Sequence, residues 1–379
     1  MVCERSATFA VGGLFFNPAS RIIRDLGVLA LLTLSPPGGA RVLDAMSGTG
    51  VRSLRYSAEA NAVHVLANER MEGDHPLRSN LRELVAAGRA RVADADAVDL
   101  YCAARLSSER FHLVDCDGFG TGQPHAAEAW WATLVGGYVY LCATDGLATC
   151  GATPHQAYVG YGGAAHRSPA CNEAALRLLI GASFREAAAR RLDGRPVFAF
   201  FHRPSSSFRV MMRLAAPRPP PAAAYEAIGF VARCPSCGET WRVGVQQVGE
   251  AAARRPCAHD APPAVSGPMW VAPMHDGAIV RRMRRAAAER GWEDTEALLR
   301  RMEEECAAEE AGALLFYHLG EVQRALAAEG LPLPRLAELL PRLRAAGYGA
   351  SRSHSEAKAL KTSATLADIV SVVRQMGDE

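Results

Sequence analysis

The chain has 379 residues, 49% of them hydrophobic, and a net charge of only +2. This length exceeds one ordinary domain, so two domains are expected. The near-neutral charge excludes a uniformly basic surface. The sequence contains no apolar run of about 18 residues, which argues against a membrane span.

The N-terminal stretch MVCERSATFA has no basic segment followed by a long apolar core, so no signal peptide is predicted. The ten cysteines are scattered, and only Cys234 and Cys237 form a close pair. Without an export signal, this pattern favours reduced thiols and a bound metal over a disulfide framework. The expected location is the cytoplasm, and the sequence implies no protein partner.

Apolar runs alternate with helical patterns from about residue 22 to 200. The six runs that predict strands are Arg41–Leu43, Val63–Ala67, Ala90–Ala93, Phe111–Val114, Tyr138–Ala143 and Pro196–Phe201. Helices are predicted between them, for example Gly50–Ala60 and Pro76–Ala87. A seventh run, Phe208–Leu214, is expected to pair antiparallel beside the sixth. The alternation predicts an α/β fold with a doubly wound, mostly parallel, Rossmann-like sheet.

The segment APRPPPAAA, Ala216–Ala224, predicts a stiff linker, because proline favours extended backbone and cannot donate to a β-ladder. The predicted domains are therefore residues 1–220 and 221–379.

The second, smaller domain is expected to be α+β. Short strands are predicted around its cysteine pair, followed by two charged helices at Gly277–Arg290 and Asp294–Ala308. Its tail, from Phe316 to Val373, has helix–turn–helix spacing and a strand-and-turn segment, which predicts a winged-helix-like unit.

Ligands of a doubly wound sheet bind outside the carboxyl ends of its strands. The first such end, VLDAMSGTGVRSLRY, leads from Asp44 through Gly48 and Gly50 into a helix. The two glycines let the backbone approach a ligand closely. Ser53 stands where the nicotinamide fingerprint requires a third glycine. The loop instead resembles the adenosylmethionine-binding loop of class I methyltransferases, and an ordinary Gly-rich turn is the alternative.

Acidic residues follow the second and third strands. Glu69 lies 19 residues after the second glycine of the first loop, the usual interval to an acid that accepts hydrogen bonds from ribose hydroxyls. Asp96 and the backbone of Ala97 could bind an adenine amino group. Asp94 and Asp99 are rival candidates for that contact, and solvated loop acids are the alternative throughout.

The fourth strand end is FHLVDCDGFGTG, Phe111–Gly122. Amino-directed methyltransferases place here an acid or amide, Pro, a variable residue and an aromatic. A carboxylate that accepts the N–H bonds of an exocyclic amine enriches the nitrogen in electrons and aims it at the methyl group. An aromatic ring can stack on a base. Asp117 and Phe119 are predicted for these roles, and a tight turn after a buried strand is the alternative.

Motifs along nearly the whole chain resemble the tRNA (guanine-N2-)-dimethyltransferases, which methylate the guanine at tRNA position 26. The segments that carry this resemblance are FFNPASRIIRDLGVLAL, LDAMSGTGVRSLR, DCDGFGTG, ATDGLATCGATPHQAY, ACNEAALRLLIGA, GPMWVAPMHD and SRSHSEAKALKTSA. The resemblance implies an enzyme that transfers one or two methyl groups from S-adenosylmethionine to the exocyclic amine of a guanine. It also implies that the partner of the protein is tRNA.

By motif position, the resemblance implies that the adenosylmethionine site is lined by Arg24, Arg52, Glu69, Asp96 and Ala97. It likewise implies that Asp117 holds the guanine amino group. Either arginine could also neutralise the methionine carboxylate bidentately, and an ion pair on a helix face is the alternative. Gly118 stands where the family has proline, and glycine can adopt the same φ without being held to it.

The segment CPSCGETW contains the pair Cys234 and Cys237, and Cys257 follows after 19 intervening residues. This spacing is close to that of a zinc ribbon, although Asp260 stands in register with the missing fourth cysteine. A structural zinc is predicted, with His259 as the fourth ligand. The alternative is two turn cysteines and an unrelated thiol.

Because the implied partner is a tRNA, a basic face for phosphate contacts is expected in the second domain, and solvated helix faces are the alternative. The residues of this face are Arg281, Arg282, Arg284, Arg285, Arg352, His354, Lys358 and Lys361. Two alternative functions remain: an amino-methyltransferase acting on another RNA or DNA base, and a non-catalytic RNA-binding protein with a decayed methyltransferase core.

Overall fold

The computed structural model describes residues 1–71, 73, 75–215, 225–251 and 253–377. The chain divides into two compact units that are each discontinuous in sequence. The first consists of Met1–Asp145, Ser183–Pro219 and Arg281–Glu296, and the second of Gly146–Ala182, Pro220–Val280 and Ala297–Glu379. The predicted linker, Ala216–Ala224, lies outside the described residues, and the boundary after residue 220 stays a prediction.

The first unit contains an antiparallel ribbon and a seven-stranded sheet. The ribbon strands are β1 (Val2–Glu4) and β2 (Ala7–Phe9). The sheet strands are β3 (Ala40–Asp44), β4 (Ala62–Asn68), β5 (Ala90–Ala93), β6 (Phe111–Cys116), β7 (Thr133–Ala143), β8 (Gly194–His202) and β9 (Ser207–Leu214).

Strand order in this sheet is β5-β4-β3-β6-β7-β9-β8. Strands β5, β4, β3, β6 and β7 run parallel to one another, whereas β9 is antiparallel to both β7 and β8. This order confirms the predicted doubly wound, mostly parallel sheet. It also confirms the antiparallel pairing of the seventh apolar run with the sixth.

One helix precedes the first parallel strand, and further helices follow the parallel strands. They are α1 (Arg21–Leu34), α2 (Val51–Glu59), α3 (Pro76–Asn80), α4 (Arg82–Ala86), α5 (Ala97–Ser107) and α6 (His125–Glu128). The predicted helix over Pro76–Ala87 is therefore two short helices. Its start is set by Pro76, whose fixed φ suits the first helical turn, and by the His75 ring, which accepts a hydrogen bond from the Leu77 amide.

The remaining elements build mainly the second unit. Its strands are β10 (Ile228–Arg233), β11 (Thr240–Gly244), β12 (Ala264–Trp270), β13 (Phe316–His318), β14 (Ala350–Arg352) and β15 (Ala359–Thr362). The helices in this part of the chain are α7 (Gly146–Thr149), α8 (Pro154–Tyr161), α9 (Cys171–Ala189), α10 (Gly277–Glu289), α11 (Glu293–Glu310), α12 (Leu319–Ala327), α13 (Leu336–Ala345) and α14 (Leu366–Gly377).

Two three-stranded antiparallel sheets organise the second unit, with orders β11-β10-β12 and β13-β15-β14. The tail packs its own apolar cluster, which includes Leu326, Leu339, Leu343, Leu360 and Ile369. Among the described residues, no helix combines the length and the apolar character that crossing a bilayer requires.

Candidate active site

Two buried carboxylates face each other across the centre of the seven-stranded sheet. Asp44 ends β3, and its register partner on β6 is Asp115; neither is exposed to solvent. From β3 the chain continues through β4 and β5 toward one edge of the sheet, whereas from β6 it continues through β7 toward the other edge. Doubly wound sheets bind ligands at such a switch point. Ser53 Oγ donates to Asp44 Oδ2 at 2.7 Å, and Tyr56 Oη donates to Asp115 Oδ2 at 2.6 Å.

Burial disfavours the ionised form of both carboxylates. Burial first, and then the neighbouring Asp115 charge, raise the pKa of Asp44 to about 7. Burial likewise raises the pKa of Asp115. Arg52, which is only 5% exposed, places its Nε 3.6 Å from Asp115 Oδ2 and partly compensates the negative charge.

The glycine-containing loop after β3 is hydrogen-bonded to Glu69, the residue that directly follows β4. The Gly48 amide donates to Glu69 Oε2 at 2.6 Å, so the two predicted cofactor residues are in direct contact. Gly48 has a φ of 54°, and the position of a β-carbon there would face open space. Gly50 has a φ of 81° and immediately precedes α2, where a β-carbon would lie 2.8 Å from Leu77. The positive φ therefore favours glycine at position 50, and the Leu77 side chain would have to move to admit a β-carbon.

Asn68 joins three of the ligand-facing loops, and no motif predicts it. Its Nδ2 donates to the carbonyls of Ala45 and Ala95, and its Oδ1 accepts from the Ala95 amide. The side chain is 1% exposed. The only sequence signal is a polar residue at the end of an otherwise apolar strand, next to Glu69.

Asp96 caps helix α5, accepting a hydrogen bond from the Val98 amide at 2.8 Å through Oδ1. Its other oxygen lies 3.9 Å from the exposed Arg70 guanidinium. Ala97, the first residue of α5, is buried. The rival Asp94 accepts from the Met71 amide through Oδ1 at 3.0 Å, and Asp99 is exposed in the first turn of α5.

Arg24 forms a buried bidentate pair with Glu4. Its Nε donates to Glu4 Oε1 at 2.8 Å, and its terminal nitrogen donates to Glu4 Oε2. Both side chains are about 5% exposed. The guanidinium is therefore already neutralised by a carboxylate of the protein, and its predicted contact with the methionine carboxylate stays a prediction.

Asp117 is clamped between two arginines at the end of the fourth parallel strand. Arg52 bonds its Oδ2 and Arg209, on β9, bonds its Oδ1. Burial works to raise the pKa of Asp117, but the Arg209 and Arg52 charges outweigh it and lower the pKa to about 2. The carboxylate is thus held ionised, with 28% of its side chain exposed. Arg209 is not predicted by any motif, since an arginine inside an apolar strand run carries no distinguishing spacing.

Phe119 projects into solvent beside a second aromatic ring. It is 78% exposed and meets Phe15, 74% exposed, edge to face with ring centroids 5.6 Å apart. Contiguous exposed apolar surface often marks an interaction site, so this pair is a candidate contact surface. Phe15 lies in the FFNP segment, where only its aromatic character could have singled it out.

Gly118 fills a tight space between the acid and this ring. A β-carbon there would lie 3.3 Å from Met46 Sδ and 3.3 Å from His125 Nε2. The absence of a side chain at this position therefore leaves room for Met46, whose sulfur belongs to the loop after β3.

Several buried polar atoms around the switch point have no hydrogen-bond partner among the described residues. They are Asp44 Oδ1, Asp115 Oδ1, Arg52 Nε, Arg209 Nε and Arg209 Nη1. Orphaned buried groups are rare in folded proteins, and their concentration at one sheet edge indicates a place for a polar ligand.

The predicted zinc ligands lie together in the second unit. One ligand atom from each of Cys234, Cys237, Cys257 and His259 lies within 4.8 Å of the others. The first two stand in the turn between β10 and β11, where the Gly238 amide donates to the Cys234 carbonyl at 3.0 Å. Three thiols and one imidazole in such proximity fit tetrahedral zinc.

The predicted basic face is partly wrong. Lys361 is fully buried in ion pairs, and the side chain of His354 is 2% exposed, so neither can contact a phosphate. Both residues belong to the segment SRSHSEAKALKTSA, whose polar composition does not indicate that they would be buried. The cations of that set that remain exposed are Arg281, Arg282, Arg285, Arg352 and Lys358.

Residues 3–374 match the sequence model of the family described as N2,N2-dimethylguanosine tRNA methyltransferase. A tRNA (guanine(26)-N(2))-dimethyltransferase of Archaeoglobus fulgidus is 28% identical over 371 residues, which cover 98% of this chain and 97% of that protein. One from Methanoculleus marisnigri is 29% identical, covering 96% and 92%. The structure of Trm1 from Pyrococcus horikoshii with S-adenosyl-L-methionine matches the fold with a TM-score of 0.79 at 23% identity, covering 98% and 99% of the two chains.

Proposed function

The chain belongs to the N2,N2-dimethylguanosine tRNA methyltransferase family, and from that premise we propose that it methylates the exocyclic amine of guanine 26 in tRNA. The match to the family model and the similarity to the curated relatives confirm the family and the enzyme class that the motifs predict. Together with the doubly wound sheet, it supports S-adenosylmethionine as the methyl donor and tRNA as the partner.

The observation that carries this proposal is the carboxylate of Asp117, ionised between Arg52 and Arg209. An ionised carboxylate offers about four lone-pair positions, and the two arginines leave some of them for the amino group of a guanine. Accepting those N–H bonds orients the nitrogen lone pair and enriches it in electrons. With a pKa of about 2, Asp117 acts as an acceptor and aligner at neutral pH rather than as a strong general base.

Adenosylmethionine supplies a methyl group on a positively charged sulfur. The residues proposed to hold it are Arg24, Asp44, Gly48, Gly50, Arg52, Glu69, Asp96 and Ala97. Glu69 suits the ribose hydroxyls, because one carboxylate oxygen holds the Gly48 amide and the other is left to accept. Asp96 likewise uses one oxygen to cap α5 and keeps the second for an adenine amino group.

The exposed pair of Phe15 and Phe119 is proposed to receive the target base. A guanine inside a tRNA stack cannot reach a carboxylate at a strand end, so it must swing out before reaction. Aromatic rings replace part of the stacking that the base loses. Phe119 lies two residues after Asp117 in the loop that follows β6, and Phe15 contacts its ring, so the pair suits this contact.

Nucleoside analysis of unmodified tRNA incubated with the protein and S-adenosylmethionine tests the proposal. N2-methylguanosine or N2,N2-dimethylguanosine at position 26 is the expected product, and a tRNA with adenine at position 26 should receive no methyl group there. Asp117→Ala should abolish product while the protein still binds S-adenosylmethionine.

The rival functions give different outcomes in the same assay. Methylation only at another base, or of DNA, would identify a different amino-methyltransferase. Binding of S-adenosylmethionine and tRNA without any methylated product would identify a non-catalytic RNA-binding protein. Equal product from wild type and Asp117→Ala would remove the role assigned to that carboxylate.

We further infer a division of labour in which residues 1–220 bind the cofactor and catalyse, and residues 221–379 grip tRNA. The exposed Arg352 and Lys358 support phosphate contacts by the second domain. Folded tRNA offers shape and phosphates rather than accessible base edges over most of its surface. A tRNA substrate also makes the cytoplasm the proposed location.

A structural zinc held by Cys234, Cys237, Cys257 and His259 is part of this proposal. The ion would fix the turn between β10 and β11 to the segment before β12. X-ray absorption at the zinc edge should show sulfur neighbours at about 2.3 Å. A double change, Cys234→Ser with Cys237→Ser, should remove that sulfur signal, and wild-type protein without any sulfur-bound zinc would contradict the assignment.

A further inference from the structure

The second unit contains another set of potential metal ligands, which no motif assigns. His275 lies just before α10, Glu305 lies within α11, and His354 follows β14. Their side chains are no more than 2% exposed. One ligand atom from each lies within 4.8 Å of the other two. The two histidines come from the GPMWVAPMHD and SRSHSEAKALKTSA segments, so this cluster is where those two motifs meet.

Distances within the cluster suit a common ion. His354 Nδ1 lies 2.8 Å and His275 Nε2 lies 3.5 Å from the same oxygen, Glu305 Oε2. Ligand bonds of about 2.0–2.1 Å in a tetrahedral zinc site place neighbouring donor atoms roughly 3.3 Å apart. The two nitrogen–oxygen distances in the cluster, 2.8 and 3.5 Å, lie below and above that value. The imidazole rings are inclined at 81°, with their centroids 5.9 Å apart, so they approach Glu305 from different directions.

Hydrogen bonding leaves the cluster incomplete. Among the described residues, neither Nδ1 nor Nε2 of His275 has a hydrogen-bond partner, and His354 Nε2 has none. A buried polar atom without a partner costs about 1–3 kcal/mol, so such atoms normally meet an ion or a water molecule. An ion bound to His275 would satisfy one of its two orphaned nitrogens.

The charged side chains around the cluster also carry a net negative charge that a bound cation would neutralise. Glu305 shares its environment with Glu173 and Glu309, and the described arginine and lysine side chains that pair with these acids are Arg177 and Lys361. Lys361 Nζ lies 2.6 Å from Glu309, 2.9 Å from Glu173 and 3.7 Å from Glu305. Arg177 lies 3.0 Å from Glu173 and 3.2 Å from Glu309. Three carboxylates against two cations leave one negative charge in excess when both imidazoles are neutral.

Lys361 does not compete for the same position, because its closest partners are Glu309 and Glu173. Glu305 is therefore the carboxylate of the three that is least neutralised by the permanent cations. Its other close contacts are the two imidazoles, which face Oε2, and the His354 backbone amide, which donates to Oε1. Buried charges are stable only when they are paired or bound to a metal.

We propose that His275, Glu305 and His354 bind a zinc ion that joins the segment before α10, helix α11 and the turn after β14. Two imidazoles and one carboxylate form a ligand set that zinc adopts in proteins. The ion provides the positive charge that the cluster lacks and fixes three segments that are distant in sequence. This site is additional to the cysteine site and has no sulfur ligand.

Crystals of the full-length protein grown with zinc chloride test the proposal through anomalous scattering at the zinc edge. A peak bonded to the two imidazoles and Glu305 is expected. If the cluster shows no peak under these conditions, the proposal is overturned.

Matched variants give a second readout in solution. In protein carrying Cys234→Ser and Cys237→Ser, the zinc that remains should show only nitrogen and oxygen neighbours at about 2.0–2.1 Å. Adding His275→Gln should remove one zinc per chain, whereas adding His155→Gln, at an exposed position of α8, should remove none. Zinc content unaffected by His275→Gln would overturn the assignment.

Discussion

Arg209 and Asp117 are 92 residues apart in sequence, yet the guanidinium donates directly to the carboxylate. Arg209 lies on β9, where its register partner is Cys142 of β7, and Asp117 follows β6 on the far side of β7. The antiparallel strand β9 thus brings a buried cation to a parallel strand end. This contact helps to keep the candidate catalytic carboxylate ionised.

Arg209→Met should shift the acidic limb of the kcat/KM profile toward higher pH. Asp117 has a folded-state pKa lowered to about 2, so its active, ionised form persists as the pH falls. Removing Arg209 leaves burial opposed by Arg52 alone, and the pKa of Asp117 rises. Methyl transfer measured between pH 4.5 and 8 checks this.

Arg213→Met is the matched control, because Arg213 is an exposed arginine on the same strand. Its profile should follow that of the wild type. If Arg209→Met and wild type had superimposable profiles, Arg209 would have no part in setting the charge of Asp117.

Glu69→Ala should weaken S-adenosylmethionine binding by roughly 10- to 150-fold, since a hydrogen bond to a charged group contributes about 1.5–3 kcal/mol. Glu69→Gln should lose less, because its carbonyl can still accept from the Gly48 amide. Isothermal titration calorimetry measures both, with Glu83→Gln as an exposed control. Unchanged affinity in Glu69→Ala would contradict the ribose role.

Phe119→Ala should raise the KM for tRNA by roughly 5- to 150-fold, the range expected from about 1–3 kcal/mol of stacking per base. Phe119→Tyr should retain most of the affinity, because it keeps the ring. The melting temperature should not change, because the side chain is 78% exposed. Leu106→Ala removes another exposed apolar side chain and should leave KM unaltered. A similar rise in both alanine variants would point to a general surface effect.

Arg55→Met should destabilise the first unit by about 3–5 kcal/mol, because it leaves buried carboxylates without their cation. Arg55 is fully buried and lies 2.9 Å from Glu4, 2.6 Å from Asp25 and 2.9 Å from Glu59. Arg41→Met breaks a partly exposed pair with Glu109 and should cost no more than about 1 kcal/mol. Urea unfolding at pH 7 compares the two.

The cost of Arg55→Met should also depend on pH. Burial acts to raise the pKa of Asp25, but hydrogen bonds and charges from Arg5 and Arg55 lower it below its usual 3.8. A lowered folded-state pKa gives stability that is present above the unfolded value and is lost as the pH falls. The difference between wild type and variant should therefore shrink from pH 7 to pH 3. A constant difference would show that Asp25 does not contribute.

Local patterns were sufficient to predict the strands of the central sheet and the residues at their ends. A buried parallel strand needs a continuous apolar run, and a ligand-binding strand end needs glycines and acids in fixed order. Those requirements concern residues that are close together in sequence. The acids at the strand ends could therefore be predicted without a structure; they are Asp44, Glu69, Asp96 and Asp117. The spacing of the cysteines before β12 is equally local.

Residues whose role depends on distant partners could not be predicted in this way. Arg209 and Phe15 reach the candidate site from segments far from Asp117 and Phe119 in sequence. Lys361 looks like a surface cation in its motif, but three carboxylates from other segments surround it. Only packing between segments decides such burial.

The family, the doubly wound sheet and the order of acids along its ligand-facing edge could be predicted from spacing along the chain, because each depends on residues that are close together in sequence. The tertiary structure decided which charges neutralise which. It placed Asp117 between two arginines, and it enclosed His275, Glu305 and His354 together in the second unit. Electrostatic partners depend on distances across the fold, and those distances arise only when the strands and helices have packed.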